Sequence, residues 1–137
     1  MNKIIVTFVI LATHWVSAQN VSLTVQVLGF KNNNGKVCVG LYNSEGTFLK
    51  ETFLTMNAEI VDQKATVVFQ NVPAGDYAVS LYHDENNSGI LEKGAFGIPK
   101  EDFACSNNAK GKMGPPKYND AKFSLTETKT ITITLNK

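Results

Sequence analysis

The sequence predicts an all-β fold, a seven-stranded antiparallel sandwich of immunoglobulin or prealbumin type. Three observations predict it. Apolar and polar residues alternate in several short segments, turn-forming Asn, Gly and Pro separate those segments, and no stretch keeps a helical period. Alternation of this kind is typical of antiparallel strands that bury one face and leave the other in water.

Two strands near the start of the domain flank a turn. The first covers residues 21–27, and the second covers residues 36–42, after the turn sequence Lys-Asn-Asn-Asn-Gly at 31–35. The second strand presents two different faces. Its apolar face holds Val37, Val39 and Leu41, and the opposite face holds Cys38, Gly40 and Tyr42.

The middle of the chain is less regular. Residues 43–56 predict an irregular segment, because their apolar residues fit either a helical turn or a packed loop. Residues 57–62 and 65–70 predict a hairpin around Gln63-Lys64, and residues 76–83 predict the next strand after a turn with Pro and Gly at 72–75.

Two final strands follow a long gap. Ala121, Phe123 and Leu125 mark the sixth strand, and Ile131, Ile133 and Leu135 mark the seventh. Alternation then predicts which side chains form the core. They are Leu23, Val25, Val37, Val39, Leu41, Val67, Phe69, Val79, Leu81, Phe123, Ile131 and Ile133.

Residues 1–18 have the pattern of a signal peptide. Lys3 precedes an apolar run, and Val16-Ser17-Ala18 supplies the small residues of a cleavage site before Gln19. Residues 19–137 then form a single domain. No apolar run reaches the roughly 20 residues of a membrane span, and no lipobox cysteine follows the leader. We therefore expect an exported protein in the periplasm, on the cell surface or in the medium.

Charge excludes several classes of partner. Without Lys3 the processed chain carries twelve lysines against twelve acidic residues, and it contains no arginine. A neutral balance makes nucleic acid and anionic membranes poor partners, and the lack of Arg disfavours phosphate recognition by side chains.

Cysteine and histidine are scarce in the processed chain. Cys38 and Cys105 predict a disulfide, since an even count in an oxidising compartment favours a bridge over two free thiols. His83 is the only histidine after processing, and no hydrolase signature accompanies it. We expect His83 to end a strand and to bond the neighbouring turn, with no catalytic role.

Residues 84–120 form a long segment without a clear strand. Loops of this length are usually functional or disordered. Aromatic residues, three prolines and Cys105 favour an ordered loop that caps the sheet.

The start of this loop has the spacing of a calcium-binding loop. The oxygen ligands would be the side chains of Asp84, Asn86 and Ser88, the backbone carbonyl of Ile90, and Glu92 acting through water. Gly89 would allow the sharp turn between them. Ala95 stands where an EF-hand has a bidentate Glu, so further ligands would come from Glu101, Asp102, Asn107 or Asn108. The alternative is a polar turn in which Asp84 and Asn86 bond their own backbone. For Asn107-Asn108 the alternative is a left-handed turn.

Several motifs in fixed order resemble one family. The segments 68–77 (VFQNVPAGDY), 83–86 (HDEN), 97–101 (GIPKE), 106–109 (SNNA) and 114–116 (GPP) are similar to the DUF2141 family of bacterial exported proteins. The run Phe-x-x-Val-Pro-x-Gly-x-Tyr also resembles prealbumin-like and carboxypeptidase-regulatory-like sandwich domains. The resemblance implies a fold and no activity.

We therefore expect a non-enzymatic β-sandwich that binds a protein or glycan partner at the cell envelope, with calcium as its one candidate cofactor. A carbohydrate-binding module is the alternative. The absence of Trp from the processed chain disfavours it, while Tyr42, Tyr82 and Tyr118 support it. An enzyme of unknown type ranks third, because no catalytic constellation is visible.

Overall fold

The computed structural model of the protein describes residues 19–135, and the predicted signal peptide lies outside this range. Eight strands and one short α-helix are present between these limits. The elements in chain order are β1 (Asn20–Leu28), β2 (Lys36–Tyr42), β3 (Leu54–Glu59), β4 (Ala65–Pro73), β5 (Gly75–Asp84), β6 (Phe103–Cys105), α1 (Tyr118–Ala121), β7 (Phe123–Leu125) and β8 (Lys129–Thr134). No helix in this range is both long and apolar enough to cross a membrane.

The strands form two sheets, which confirms the predicted all-β sandwich. One sheet has three strands in the order β4-β1-β8, and the other has the order β3-β2-β5-β6, with β7 pairing further along the β6 edge of β5. The strand count is eight instead of seven. The β1–β8 pair is parallel, so the three-stranded sheet is mixed and not fully antiparallel as expected. Alternation specifies the buried face of a strand and leaves its direction open.

The predicted hairpin around Gln63-Lys64 is wrong. Strand β3 pairs with β2, whereas β4 pairs with β1 in the other sheet. The connection crosses between the sheets, with positive φ at Asp62 and Gln63 and one isolated bridge between Val61 and Lys64. Strand β3 also begins at Leu54, inside the segment expected to be irregular.

The core between the sheets follows the predicted alternation closely. Ten of the twelve predicted core residues are buried, and Phe69, Leu23 and Leu41 are among the largest of them. Phe123 and Ile131 are only half-buried at the margin of the cluster. Their strands explain this difference, since β7 has three residues and β8 is a sheet edge.

The long loop is ordered and contains elements that alternation did not predict. Strand β6 pairs with β5, and 3₁₀ turns cover Ala95–Gly97 and Ser106–Asn108. The predicted sixth strand is shorter than expected, because Ala121 belongs to α1 and only 123–125 are extended. The segment packs against the outer face of the five-stranded sheet and so defines the site described next.

Candidate functional site

The outer face of the five-stranded sheet forms the floor of a surface groove. Register places side chains of β3, β2, β5 and β6 in transverse rows on this face. One row is Asn57–Cys38–Tyr82–Phe103, and the next is Thr55–Gly40–Ser80–Cys105. The intervening residues of β2 and β5, such as Val39 and Leu81, point into the core. The floor is therefore a surface of hydroxyl, amide, thiol and aromatic groups.

Three loop segments build the walls of this groove. They are the turn region 45–52, the segment 89–99 and the segment 114–118. The groove is partly open and has a volume of about 1170 Å³, slightly above the range of roughly 300–1000 Å³ that is typical of ligand pockets. Gly40 lets the side chain of Thr52 pack directly over β2, because a Cβ at residue 40 would lie 2.7 Å from Cγ2 of Thr52.

A small hydrophobic cluster closes one end of the groove. Tyr42, Phe48 and Tyr118 pack edge to face, with ring centroids 5.2 and 5.7 Å apart in the two successive pairs. Burial raises the pKa of the Tyr42 and Tyr118 hydroxyls. This cluster fixes the chain before and within α1 to the sheet.

The opposite end of the groove is formed by the loop with calcium-like spacing. The carboxylate of Asp84 is fully buried, and its Oδ1 and Oδ2 accept backbone N–H groups of Ser88 and Gly89, both at 2.9 Å. The hydroxyl of Ser88 lies 3.4 Å from Asp84 Oδ1 and donates to the Ile90 carbonyl at 3.0 Å. Three of the five predicted ligand oxygens thus lie together.

The remaining two predicted ligands pair with each other. Asn86 Nδ2 donates to Glu92 Oε1 at 3.0 Å, while Asn86 Oδ1 accepts the N–H of Ser88 at 3.1 Å. These are the bonds of the polar-turn interpretation. Within residues 19–135 no group of three or more His, Cys, Asp or Glu side chains is arranged to hold a metal ion.

Only one of the expected additional ligands reaches this loop. Glu101 Oε2 accepts the N–H of Glu92 at 3.1 Å, and burial together with nearby Asp84 and Glu92 raises the pKa of Glu101 against the opposing effect of that bond. Asp102 instead lies 2.9 Å from Lys31 Nζ. Asn107 and Asn108 bond carbonyl and amide groups near α1 and β8, and their positive φ values match the left-handed turn interpretation.

A close backbone approach anchors the base of the calcium-like loop. Gly35 has φ of +66°, and a Cβ at this position would clash with the carbonyl of Asp84. His83 lies beside it with no exposed surface, and its Nε2 donates to the Asn34 carbonyl at 2.7 Å. The His83 side chain therefore bonds the 31–35 turn, which is its neighbour in space and not the turn that follows it in sequence. Its ring packs on Phe30 toward the core, away from the groove.

The predicted Cys38–Cys105 disulfide is not formed, and both cysteines are buried free thiols. Strand β5 separates β2 from β6, so two inter-strand spacings of about 4.8 Å each keep the Cα atoms beyond the roughly 7 Å limit of a disulfide. Burial raises the pKa of Cys38 and raises that of Cys105 to about 11. An even count cannot reveal an intervening strand.

The sequence pattern did not indicate the groove-floor residues Thr55, Asn57 and Ser80 or the wall lysines. The sequence of β2 does contain an indication of this face. In a strand with one solvent-exposed face, the positions of Cys38, Gly40 and Tyr42 would normally hold polar residues. The structure buries all three. Small and aromatic residues on both faces indicate that something covers each face.

The sequence model of a family described as "Uncharacterized protein conserved in bacteria (DUF2141)" matches residues 25–133. No curated protein and no solved structure matches the chain.

Proposed function

The chain belongs to the DUF2141 family of bacterial proteins, whose description assigns no activity, and from the groove geometry we propose that it is an exported, non-enzymatic binding protein. The single observation that carries this proposal is the groove of about 1170 Å³ over the outer sheet face. Rigid strands form its floor, and binding sites on such elements hold their geometry better than sites made of loops alone. The predicted signal peptide supports export.

The segments that carry the family resemblance also support the groove as the binding site. Two of the segments that carry the resemblance, 97–101 and 114–116, contribute residues to the groove walls. Prolines 99, 115 and 116 limit backbone freedom in those walls. Preordered walls reduce the entropy that a ligand must overcome when it binds.

The state of the reactive side chains supports a non-enzymatic role. His83 is fully buried and its Nε2 is already used by Asn34. The thiols of Cys38 and Cys105 face the groove, but burial raises the pKa of both, so each stays protonated near neutral pH and is a weak nucleophile.

A weak calcium site in the 84–92 loop is the second part of this proposal. The shared neighbourhood of Asp84 Oδ1, Ser88 Oγ and the Ile90 carbonyl supports it. Calcium would stiffen the loop that forms one end of the groove. With one buried carboxylate and few charged ligands, the affinity belongs to the weak range of about 10⁻⁴–10⁻³ M.

The groove is tested by blocking it on the sheet. Thermal melts of residues 19–137 with neutral and acidic oligosaccharides, long-chain carboxylates and short peptides should give at least one stabilising ligand. Ser80→Trp places a large ring on the floor and should abolish that shift. Val68→Trp, on the exposed face of β4, is the matched control and should retain it. A shift that persists in Ser80→Trp, or no shift with any compound, contradicts the proposal.

A further inference from the structure

The groove carries a strong local excess of positive charge. Its lining includes Lys36, Lys50, Lys93 and Lys117 but only one acidic residue, Glu45. The full sequence has a net charge of only +1, so this excess is a property of the groove and not of the whole chain. A cleft lined by charge of one sign concentrates ligands of the opposite sign.

Three of these lysines are available to a ligand. Lys36 Nζ lies 4.0 Å from Oδ2 of the buried Asp84, so the Asp84 carboxylate compensates the charge of Lys36. Among residues 19–135, Lys50, Lys93 and Lys117 take part in no ion pair within 4.0 Å. All three are exposed.

The free lysines lie toward opposite ends of the groove. Lys93 belongs to the wall beside the 84–92 loop. The backbone of the preceding residue, Glu92, holds this wall in place, because its N–H donates to the Glu101 carboxylate and its carbonyl accepts the N–H of Lys100. Lys50 and Lys117 flank the cluster of Tyr42, Phe48 and Tyr118 at the other end. The floor between these ends follows β2 for six residue steps, or about 20 Å.

The floor between the lysines is polar and aromatic. Thr55, Asn57, Ser80 and the Tyr82 hydroxyl offer hydrogen-bonding groups, and the aromatic residues Tyr82 and Phe103 are cross-strand partners in one row. The Thr55 hydroxyl already donates to Thr52, but an alkyl chain on this floor would cover the Asn57 amide without giving it a hydrogen-bond partner. A peptide strand would find the backbone of the central strands already paired.

We propose that the groove binds an acidic oligosaccharide, with carboxylates near the lysines at both ends and sugar rings over the floor. This inference rests on the proposed binding function and specifies its ligand class. Sugar rings present hydroxyl groups and apolar faces, which match the hydroxyl, amide and aromatic groups of the floor. Repeated charges on one ligand match lysines that lie at both ends of a floor about 20 Å long, whereas a single anionic head group would leave one end uncompensated.

The test measures binding of tetragalacturonate to residues 19–137 by calorimetry. Its fully methyl-esterified form has the same rings without charge and is the matched ligand control. The triple variant Lys50→Gln, Lys93→Gln, Lys117→Gln should weaken tetragalacturonate binding about tenfold, and the affinity of the unmodified protein should fall as salt increases. Lys64→Gln changes an exposed lysine outside the groove and should leave binding unchanged.

The outcomes separate this inference from the general groove function. Equal binding of the ester, or no effect of the triple variant, overturns the role of the lysines. Tetraglutamate binding as tightly as tetragalacturonate overturns the glycan class. Dodecanoate binding that Ser80→Trp blocks, without binding of either sugar, overturns the inference and leaves the groove function standing. If none of these probes binds, the inference of an acidic oligosaccharide fails. The general binding function of the groove is then tested by the thermal melts with the wider set of compounds.

Discussion

Ser106 Oγ accepts the backbone N–H of Val79 at 2.9 Å, on the edge of β5 opposite β2 and at a point where neither β6 nor β7 pairs with it. Strand β6 pairs with Ser80, Leu81 and Tyr82, and β7 pairs with 75–77 further along the same edge. The same hydroxyl donates to the Ala121 carbonyl at 2.6 Å. One buried side chain thus closes the gap between two short edge strands and ties the end of α1 to β5.

Ser106→Ala should destabilise the protein. The substitution leaves a buried N–H and a buried carbonyl without partners, which costs about 1–3 kcal/mol for each group. Urea denaturation measures this loss. Ser124→Ala removes an exposed hydroxyl that bonds Asp76 and should change stability by less than about 0.5 kcal/mol. Equal effects of the two variants would show that the edge gap is filled in another way.

Phe69→Ala and Phe123→Ala should differ clearly in cost. Phe69 is only 2% exposed in the central cluster, so its truncation should cost about 3–5 kcal/mol in free energy of unfolding. Phe123 lies half-buried at the margin of the cluster, so its truncation should cause a smaller loss in free energy of unfolding. The comparison uses denaturation midpoints at equal m-values. A larger loss for Phe123 would contradict the assigned register of β7.

Calcium should raise the melting temperature of the processed protein if the 84–92 loop binds it. Asp84→Ala should abolish that gain, because it removes the only buried carboxylate of the loop. The variant also loses two charge-assisted bonds, at about 1.5–3 kcal/mol each, with or without calcium. Glu127→Ala, an exposed carboxylate at the β7–β8 turn, should keep the full response. An equal loss with calcium and with chelator would leave a polar turn without a metal.

Both cysteines should be free thiols in the purified protein. Mass spectrometry after alkylation in denaturant should find two modified cysteines, and in the folded state both should react slowly because they are buried. A reducing agent should leave the melting temperature unchanged. One intact bridge between Cys38 and Cys105 would contradict the placement of β5 between them.

Stability should fall as pH rises from about 9 to about 11. Folding raises the pKa of Cys105 from 9.0 to about 11, mainly by burial, so the folded state retains a proton that the unfolded state loses. The stabilisation is therefore complete below the unfolded pKa and is lost as pH approaches the folded value. Cys105→Ala should flatten this part of the profile, leaving the decline from Cys38 and from tyrosines, whose pKa values are also raised. An unchanged slope would show that the thiol does not contribute.

Alternation predicted the fold class and most of the core, because burying one face of a strand requires apolar residues at every second position. The residues Val37, Val39 and Leu41 illustrate this, and all three are fully buried. Local spacing also predicted the bonds of the 84–92 turn, since Asp and Asn side chains reach amides only a few residues away.

Tertiary structure alone decided which strands are neighbours, and with them the site. Strands β3 and β4 are adjacent in sequence yet lie in different sheets, while β1 pairs in parallel with distant β8. Pairing between distant segments depends on the whole sandwich and leaves no local pattern. For the same reason, the sequence did not reveal the strand between Cys38 and Cys105. It also did not reveal the groove that joins Lys50, Lys93 and Lys117, which lie on three separate loops.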